Sequence, residues 1–195
     1  MDNINTSTFL SYNSTGFNTI KTKWLRDIIA VTNADFIAVQ EHFKKTKSID
    51  KYFADEFPNF SSFVVPGHRE VGQDMGRPKG GIAMLSNKQK KVNKIIMNSE
   101  SFRIQAQVLT FPHTRLLKIN TYMPTDPQTI VYDDKELVTV LNEVEKIMDT
   151  AEYDDVAWVG DLNWDKERNS GFAQIMEDFV ARIGFVDVWN KFPVD

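Results

Sequence analysis

The chain has 195 residues, of which 42% are hydrophobic, so it has enough apolar surface for one sizeable core, and we expect a single domain over residues 1–195. Its lack of cysteine excludes disulfide bonds and thiolate metal sites. No apolar run approaches the roughly 20 residues that cross a bilayer and no secretion signal opens the chain, so we expect a soluble, intracellular protein without a membrane partner. The net charge of −4 argues against a protein whose main role is to bind nucleic acid through overall positive charge.

Eight segments have the apolar, β-branched and aromatic composition of strands, and short turns separate them. They are residues 9–12, 36–40, 60–65, 81–85, 92–97, 104–111, 116–122 and 156–160.

Three other segments repeat apolar residues at helical spacing, and we expect each of these stripes to face the core. The first follows the first strand, and the other two flank the last strand. Their apolar residues are Ile20, Trp24, Ile28 and Val31; Leu137, Val140, Leu141, Val144, Ile147 and Met148; and Phe172, Ile175, Met176, Phe179, Val180 and Ile183.

The order of these elements predicts the fold class. A doubly wound parallel sheet would alternate strand and helix throughout, whereas here most strands follow one another directly. We therefore predict an α+β sandwich, in which two sheets pack face to face and helices cover their outer sides. Loops at one edge of such a sandwich are free to build a site.

Polar residues follow the most apolar strands, where a rigid scaffold delivers side chains into a loop-lined cleft. Glu41 comes directly after a wholly apolar strand, and Asp161 follows another after a glycine. Carboxylates are hard oxygen ligands of the kind that Mg²⁺ takes, one or two at a time. Each is, taken alone, also compatible with an ordinary acidic residue at the start of a loop.

Three further polar residues end or follow predicted strands. Asn163 lies two residues after Asp161, where its amide can donate to a phosphate oxygen while Asp161 orients a water. Tyr122 closes a strand, and its hydroxyl can bond phosphate or simply be the wet tip of a half-buried ring. Asn13 precedes Gly16 and is also compatible with a turn residue.

The ordered motifs resemble the endonuclease/exonuclease/phosphatase superfamily. Within it, the chain is most similar to the apurinic-endonuclease-like domain of animal non-LTR retrotransposon polyproteins, from about Ser11 to Trp189. The motifs that carry the resemblance are SYNSTGFN at 11–18, VQEH at 39–42, GRPKGGIA at 76–83, NTYMP at 120–124, GDLN at 160–163 and GFVDVW at 184–189.

This resemblance implies a four-layered sandwich of two mixed sheets flanked by helices, and Mg²⁺-dependent hydrolysis of DNA, with Mn²⁺ as a possible substitute. The product would carry a 3′-hydroxyl that primes reverse transcription, so the implied partners are DNA and a reverse transcriptase domain of a longer polyprotein, acting in the nucleus. Carried over by position, Glu41 is the main metal ligand, Asn13 and Asn163 position water and phosphate, Asp161 orients the nucleophile and Tyr122 contacts the phosphate.

The chain departs from the family pattern in two respects. Family members end with a Ser-Asp-His type of motif, and here no histidine follows Asn163. None of the three histidines, His42, His68 and His113, matches that motif. We therefore expect the last strands to be missing and this chain to have little or no activity. Thr15 stands where some relatives have an acidic residue and Thr125 where they have asparagine, which leaves open whether one or two metals bind.

Three interpretations remain at this point. The first is a DNA endonuclease, with Arg77 and Lys79 in a glycine-containing segment, 67–79, that would face the DNA or be a plain surface loop. The second keeps the superfamily but changes the substrate to abasic-site DNA, RNA or a phosphorylated small molecule. The third is a catalytically dead remnant that binds nucleic acid or a partner chain.

Overall fold

A computed structural model of the protein describes residues 6–45, 49–68, 78–127 and 134–188. Within these ranges the chain forms eight strands and four helices. In chain order they are β1 (Phe9–Asn13), α1 (Thr19–Thr32), β2 (Phe36–Gln40), α2 (Ile49–Glu56), β3 (Phe60–Val65), β4 (Ile82–Asn87), β5 (Asn93–Met97), β6 (Ile104–Thr110), β7 (Arg115–Tyr122), α3 (Lys135–Thr150), β8 (Asp155–Asp161) and α4 (Gly171–Ile183).

The strands form two mixed sheets with the same pattern of directions. The first sheet has the order β1-β2-β4-β3 and the second has the order β5-β6-β7-β8. In each sheet one pair is parallel, β1 with β2 and β7 with β8, and the other pairs are antiparallel. The predicted α+β sandwich of two sheets is confirmed.

Each sheet buries its outer face under two helices, which gives the four layers that the family resemblance implies. Leu25 of α1 and Phe53 of α2 pack with Ile37, Val39 and Leu85 of the first sheet. The apolar residues of α3 and α4 pack on the second sheet, among them Val144, Met176 and Phe179. Two separate apolar clusters, one on each side of the sandwich, therefore hold the layers together.

The core prediction is wrong for α1. The helix is present, but Ile20, Trp24 and Val31 are 61%, 55% and 83% exposed, while Thr22 and Leu25 are its buried residues. The sheet contacts the face that carries Leu25 and Ile29, so the more regular apolar stripe faces solvent. The stripes predicted for α3 and α4 do face the core.

Helix α2 was not predicted from the sequence. Its eight residues contain four charged side chains, and Ile49 and Phe53 are its buried residues, so it carries too short an apolar pattern to be recognised. It packs beside α1, where the hydroxyls of Tyr52 and Thr22 share a hydrogen bond. Within the described ranges, no helix is both long enough and apolar enough to cross a membrane.

The interface between the two sheets contains buried polar side chains among apolar ones, in contrast with the apolar outer faces. Side chains alternate along a strand, so the residues of β7 that are not in the outer cluster point towards the opposite sheet. Gln40, Gln105, Gln107, Lys118 and Asn120 are all buried there. Apolar rings close the far end, where Phe9 stacks on Phe36 at 5.0 Å between ring centroids.

Candidate active site

Four of the predicted site residues lie at one edge of the sandwich because the strands that carry them run in the same direction. Asn13 ends β1 and Tyr122 and Asp161 end β7 and β8, while Glu41 directly follows β2. In the register of the parallel pairs, Asn13 lies opposite Gln40 and Tyr122 lies opposite Asp161. Strands β1 and β8 contact each other across the sandwich. Both sheets therefore contribute to one site.

Asn13 and Asp161 join the two sheets directly. The Asn13 Nδ2 donates to Asp161 Oδ2 at 2.5 Å, and its Oδ1 accepts from the backbone N–H of Thr15 at 2.9 Å. The other carboxylate oxygen, Asp161 Oδ1, accepts from the backbone N–H of Asn163 at 3.2 Å. Both oxygens of Asp161 are thus fixed in direction while the carboxylate stays partly exposed.

The backbone around Glu41 is held from both sides. The carbonyl of Glu41 accepts from the N–H of Gly16 at 2.6 Å and from the hydroxyl of Ser14 at 3.0 Å. On the other side, the N–H of His42 donates to the carbonyl of Gly81 at 3.1 Å. The Glu41 side chain is partly exposed, so a rigid turn presents a carboxylate to the cleft.

Tyr122 is half-buried at the same edge as the two carboxylates. Burial, followed by hydrogen bonding to Glu41 and the negative charges of Glu41 and Asp161, raises the pKa of Tyr122 well above its usual range. Arg103 partly offsets this, with its guanidinium 5.1 Å from the Tyr122 ring centroid and its Nη1 donating to the Tyr122 carbonyl at 3.1 Å. Tyr122 therefore keeps its proton and acts as a hydrogen-bond donor.

Asn163 has one amide donor in use. Its Nδ2 donates to the carbonyl of Met123 at 2.9 Å, which ties the turn after β8 to the end of β7. Each amide nitrogen carries two hydrogens, so one N–H is left for a ligand. Asn163 lines an open groove of about 550 Å³ together with Thr125, Asp126, Gly160, Asp161 and Trp164.

Unfavourable backbone conformations are concentrated at this edge. Thr15, Glu41, Phe43 and Asn163 have φ values of 41°, 54°, 52° and 49°. Asparagine tolerates this region, but such a conformation costs of order 1–3 kcal/mol for most other residues and is typical of functional sites. The strain at Thr15 and Glu41 supports a functional role for these two turns.

His42, which directly follows Glu41, is buried beneath the site. It is fully buried, its Nδ1 accepts from the N–H of Lys44 at 3.1 Å and its Nε2 donates to the carbonyl of Val65 at 3.0 Å. Burial lowers the pKa of His42 to about 4, which agrees with a neutral ring. A Cβ on Gly81 would lie 2.5 Å from this ring, so the glycine is needed for the close approach.

A buried chain of amides under the site was missed in the sequence. Gln40 Nε2 donates to Asn120 Oδ1 at 2.7 Å, and Gln105 Nε2 donates to the Phe63 carbonyl at 2.8 Å. The Asn120 amide also donates to Gln105 Oε1 at 3.3 Å. These bonds link the strands that carry Glu41 and Tyr122. The signal was present as polar residues alternating with apolar ones in β6 and β7.

Lys21 is a second residue that was missed. From the first turns of α1, its Nζ donates to the Thr15 carbonyl at 3.0 Å and to the Thr15 hydroxyl at 2.5 Å. Thr15 in turn bonds Asn13, and Asn13 bonds Asp161. Nothing in the spacing of Lys21 indicates this contact, which depends on the left-handed turn at Thr15.

The two basic residues assigned to substrate binding are only partly described. Arg77 lies outside the described residues. Lys79 is exposed and pairs with His68 through two backbone hydrogen bonds of 2.9 and 2.8 Å. The ring of His68 stacks on that of Phe102 at 4.6 Å between centroids.

The donor set fits a hard divalent cation. Within the described residues, no three His, Cys, Asp or Glu side chains form a metal cluster. Mg²⁺ does not need one, because it is commonly held by one or two carboxylates, with water and phosphate oxygens in the other positions. Glu41 directly follows β2 and Asp161 ends β8, and these two strands contact each other, so two carboxylates lie at the same edge of the sandwich.

No protein-family model and no curated protein matches the chain, but solved structures do. The AP endonuclease LMAP from Leishmania major matches with a TM-score of 0.68 and 15% identity over 95% of this chain and 69% of that chain. The endonuclease domain of TRAS1, a telomere-specific non-LTR retrotransposon, matches with a TM-score of 0.64 and 13% identity over 91% of this chain and 72% of that chain.

A third solved structure, of D. rerio TDP2 complexed with a single-strand DNA product, matches with a TM-score of 0.58 and 18% identity over 94% of this chain and 69% of that chain. At such identities the likeness establishes the fold. The chain thus has an endonuclease/exonuclease/phosphatase-type fold, which is the fold that its ordered motifs predicted.

Proposed function

We propose that this protein is a metal-dependent phosphodiesterase that nicks DNA and leaves a 3′-hydroxyl. The observation that carries the proposal is that Glu41, Tyr122 and Asp161, from three strand ends in two sheets, lie at one edge of the sandwich, where Asn13 bonds Asp161 across the sheets. Rigidly oriented charged and hydrogen-bonding groups of this kind are what phosphoryl-group chemistry requires, because its catalysis is mostly positioning and charge stabilisation.

Glu41 is the residue that would hold Mg²⁺ or Mn²⁺, since it is a partly exposed carboxylate on a fixed turn. A cation bound there supplies charge stabilisation to the phosphate. Asp161 is the second carboxylate within reach of the Tyr122 hydroxyl. Thr15 stands where some relatives have an acidic residue, but its hydroxyl accepts a hydrogen bond from Lys21. A second ion would therefore need ligands other than Thr15.

Asp161 orients and deprotonates the attacking water. Bonds from Asn13 and from the backbone of Asn163 fix its carboxylate. The water oxygen bonds to phosphorus, the bond from phosphorus to the 3′ oxygen breaks, and one water proton passes to Asp161. The leaving 3′ oxygen takes its proton from solvent. Tyr122, which keeps its own proton, donates to a phosphate oxygen as charge builds up.

DNA is the substrate that we propose. The neighbours named above include an AP endonuclease, a retrotransposon endonuclease domain and a protein crystallised with a DNA product. The motifs at Gln40–His42, Gly76–Ala83 and Asn120–Pro124 favour the retrotransposon type. The nick would then provide the primer end for reverse transcription by a polymerase domain of the same polyprotein, in the nucleus.

A plasmid-nicking assay under single-turnover conditions tests the proposal. Because no histidine follows Asn163, we expect wild-type protein in excess over DNA, with Mg²⁺ or Mn²⁺, to nick supercoiled plasmid only slowly, and Glu41→Ala to lower that slow rate by about 100-fold or more. Glu152→Ala is the matched control, because Glu152 is paired with Arg115 at the far end of β8 and is 89% exposed. Polymerase extension of the nick would verify the 3′-hydroxyl.

Metal binding is measured separately, so that a slow reaction is not mistaken for an empty site. Electron paramagnetic resonance of Mn²⁺ should show binding to wild type and Glu152→Ala and much weaker binding to Glu41→Ala. Equal nicking by all three proteins would contradict the proposal. Cleavage of abasic-site DNA or of a small phosphate ester, with intact plasmid untouched, would keep the catalytic site and change the substrate.

A further inference from the structure

Two buried nitrogen donors lie side by side between the sheets, away from the proposed active site. Lys118 of β7 is 0% exposed and Gln107 of β6 is 2% exposed, and the two residues are opposite each other in the register of these strands. Within the described part of the chain, neither Lys118 Nζ nor Gln107 Nε2 has a hydrogen-bond partner. Buried polar groups are nearly always satisfied, so these two donors need an acceptor.

Both side chains point into the gap between the sheets. Their strand neighbours Ala106, Val108, Leu117 and Ile119 belong to the apolar cluster on the outer face, and side chains alternate along a strand. The Lys118 Nζ lies 5.6 Å from the ring centroid of Phe9 in the opposite sheet. The two donors are therefore enclosed by protein on both sides.

Charge compensation is also missing at this place. On the described strands, the other cation facing the gap is Lys94 of β5, which donates to the Ser61 hydroxyl at 2.6 Å. The carboxylates on the same face of β8 are Asp155 and Asp161, at its two ends, and neither bonds Lys118. In the register of the strands the neighbours of Lys118 are Gln107 and Ala157, and neither side chain carries a charge.

We propose that Lys118 and Gln107 form an internal site for a small inorganic anion of the halide class. Every unpaired group in the site is a donor, and one of them is a cationic amine, so an anion satisfies both hydrogen bonding and charge. A water molecule would leave the charge uncompensated, and a larger, more highly charged anion such as phosphate would need more donors than the two that Lys118 and Gln107 provide. Burial alone lowers the pKa of Lys118 to about 7 and so favours the neutral amine. A bound anion would oppose this effect and favour the charged amine.

The position of the site gives it a route to the catalytic edge. Lys118 and Asn120 are successive inward-facing residues of β7, and Asn120 bonds Gln40, the residue before Glu41. Filling the gap with an anion would stiffen the same polar layer that holds the two sheets in register under the active site. The proposal stands independently of the nuclease activity, because its ligand and its measurement are different.

Thermal unfolding in chloride and in methanesulfonate at equal ionic strength tests the site. At pH 6 we expect chloride to raise the Tm of the wild type by a few degrees, with a shift that grows with the logarithm of the chloride concentration once the site is filled. At pH 9, where Lys118 is neutral, the effect should be several-fold smaller. Lys118→Met should abolish this rise in Tm with chloride, and Gln107→Leu should weaken it.

Lys94→Met is the matched control, because it removes a lysine from the same face and leaves the two donors intact. It should retain the full chloride effect. A crystal grown in bromide should show an anomalous peak within hydrogen-bond distance of Lys118 Nζ and Gln107 Nε2. The inference is overturned by an equal chloride response in Lys118→Met, by no chloride response in the wild type, or by an ordered water at that position in place of bromide.

Discussion

The Asn13 amide donates to the Asp161 carboxylate at 2.5 Å although the two residues are 148 positions apart in the chain. The bond crosses from the last residue of β1 to the last residue of β8, and so from one sheet to the other. It fixes the direction of a carboxylate whose other oxygen is held by the backbone of Asn163. A single side-chain contact thereby joins the two halves of the proposed active site.

Replacing Asp161 with asparagine should remove most of the nicking activity. The change keeps the shape of the side chain but removes its capacity to take a proton from water, so we expect a loss of about 100-fold or more. Asp155→Asn, at the opposite end of the same strand, provides the control and should leave the rate unchanged. Unaltered nicking by Asp161→Asn would contradict the role assigned to this carboxylate.

Lys21 should act as a positioning residue through Thr15. Lys21→Met removes the ammonium that holds the left-handed turn, and we expect about a tenfold lower single-turnover rate, because a misplaced group lowers the rate even when the group itself is intact. Lys21→Arg should recover much of it. The comparison is Lys23→Met, which removes the same charge from the same helix at a residue paired with Asp27.

The two lysine variants also separate positioning from general attraction to DNA. If overall charge were the cause, both methionine variants would weaken DNA binding and slow nicking to the same extent, with the same dependence on salt. We expect instead that binding changes little in either variant, and that only Lys21→Met slows the chemical step. An equal effect in both variants would rule out the contact with Thr15 as the reason.

Gly81→Ala should destabilise the protein more than Gly184→Ala does. Both glycines have a positive φ, 87° and 73°, but a Cβ at Gly81 would lie 2.5 Å from the His42 ring, whereas a Cβ at Gly184 would meet nothing within 4 Å. Gly184→Ala isolates the backbone cost, of order 1 kcal/mol. Urea unfolding should show a clearly larger loss for Gly81→Ala, and equal losses would argue against tight packing around His42.

The free energy of unfolding should depend on pH through Lys118. Burial lowers its pKa from 10.5 to about 7 in the folded protein, so between these values the unfolded chain binds a proton that the folded chain does not. The free energy of unfolding therefore rises as the pH increases from about 7 to about 10. The same contribution to stability is lost as the pH falls from about 10 to about 7.

Lys118→Met should remove this rise, because methionine does not titrate. In chloride-free buffer at pH 6, the variant should also unfold at a Tm several degrees higher than the wild type, since an apolar side chain of similar volume replaces an unpaired buried cation. Chemical denaturation across the pH range measures both effects. A parallel pH dependence in the two proteins would show that Lys118 is not the titrating group.

The sequence predicted the layers better than it predicted the faces of the helices. Strand β2 was recognisable because all five of its residues are buried and its apolar run is uninterrupted. Helix α1 carries apolar residues on two faces, and periodicity cannot tell which of them the sheet will cover. The face that carries Leu25 is the buried one, because Leu25 packs in one cluster with Phe53 and Val39. These contacts join segments that are distant in the chain.

The same distinction applies to the candidate site. Glu41, Tyr122 and Asp161 could be selected because polar residues at the ends of apolar strands gather at one sheet edge. The contacts of Lys21 and His42 depend on left-handed turns at Thr15 and Glu41, and sequence spacing gives no sign of such turns in residues other than glycine and asparagine. The roles assigned to Asn13 and Asn163 remain predictions that mutation can test.

The proposed site is divided between two sheets, so catalytic activity depends on the two sheets being packed together. Asn13 ends one strand of the first sheet and Glu41 follows another, whereas Tyr122 and Asp161 belong to the second sheet. A state in which the layers drift apart would keep its helices and its ladders of backbone hydrogen bonds, yet it would have no assembled catalytic centre. During gradual denaturation, enzymatic turnover should therefore cease before the circular dichroism of the backbone changes.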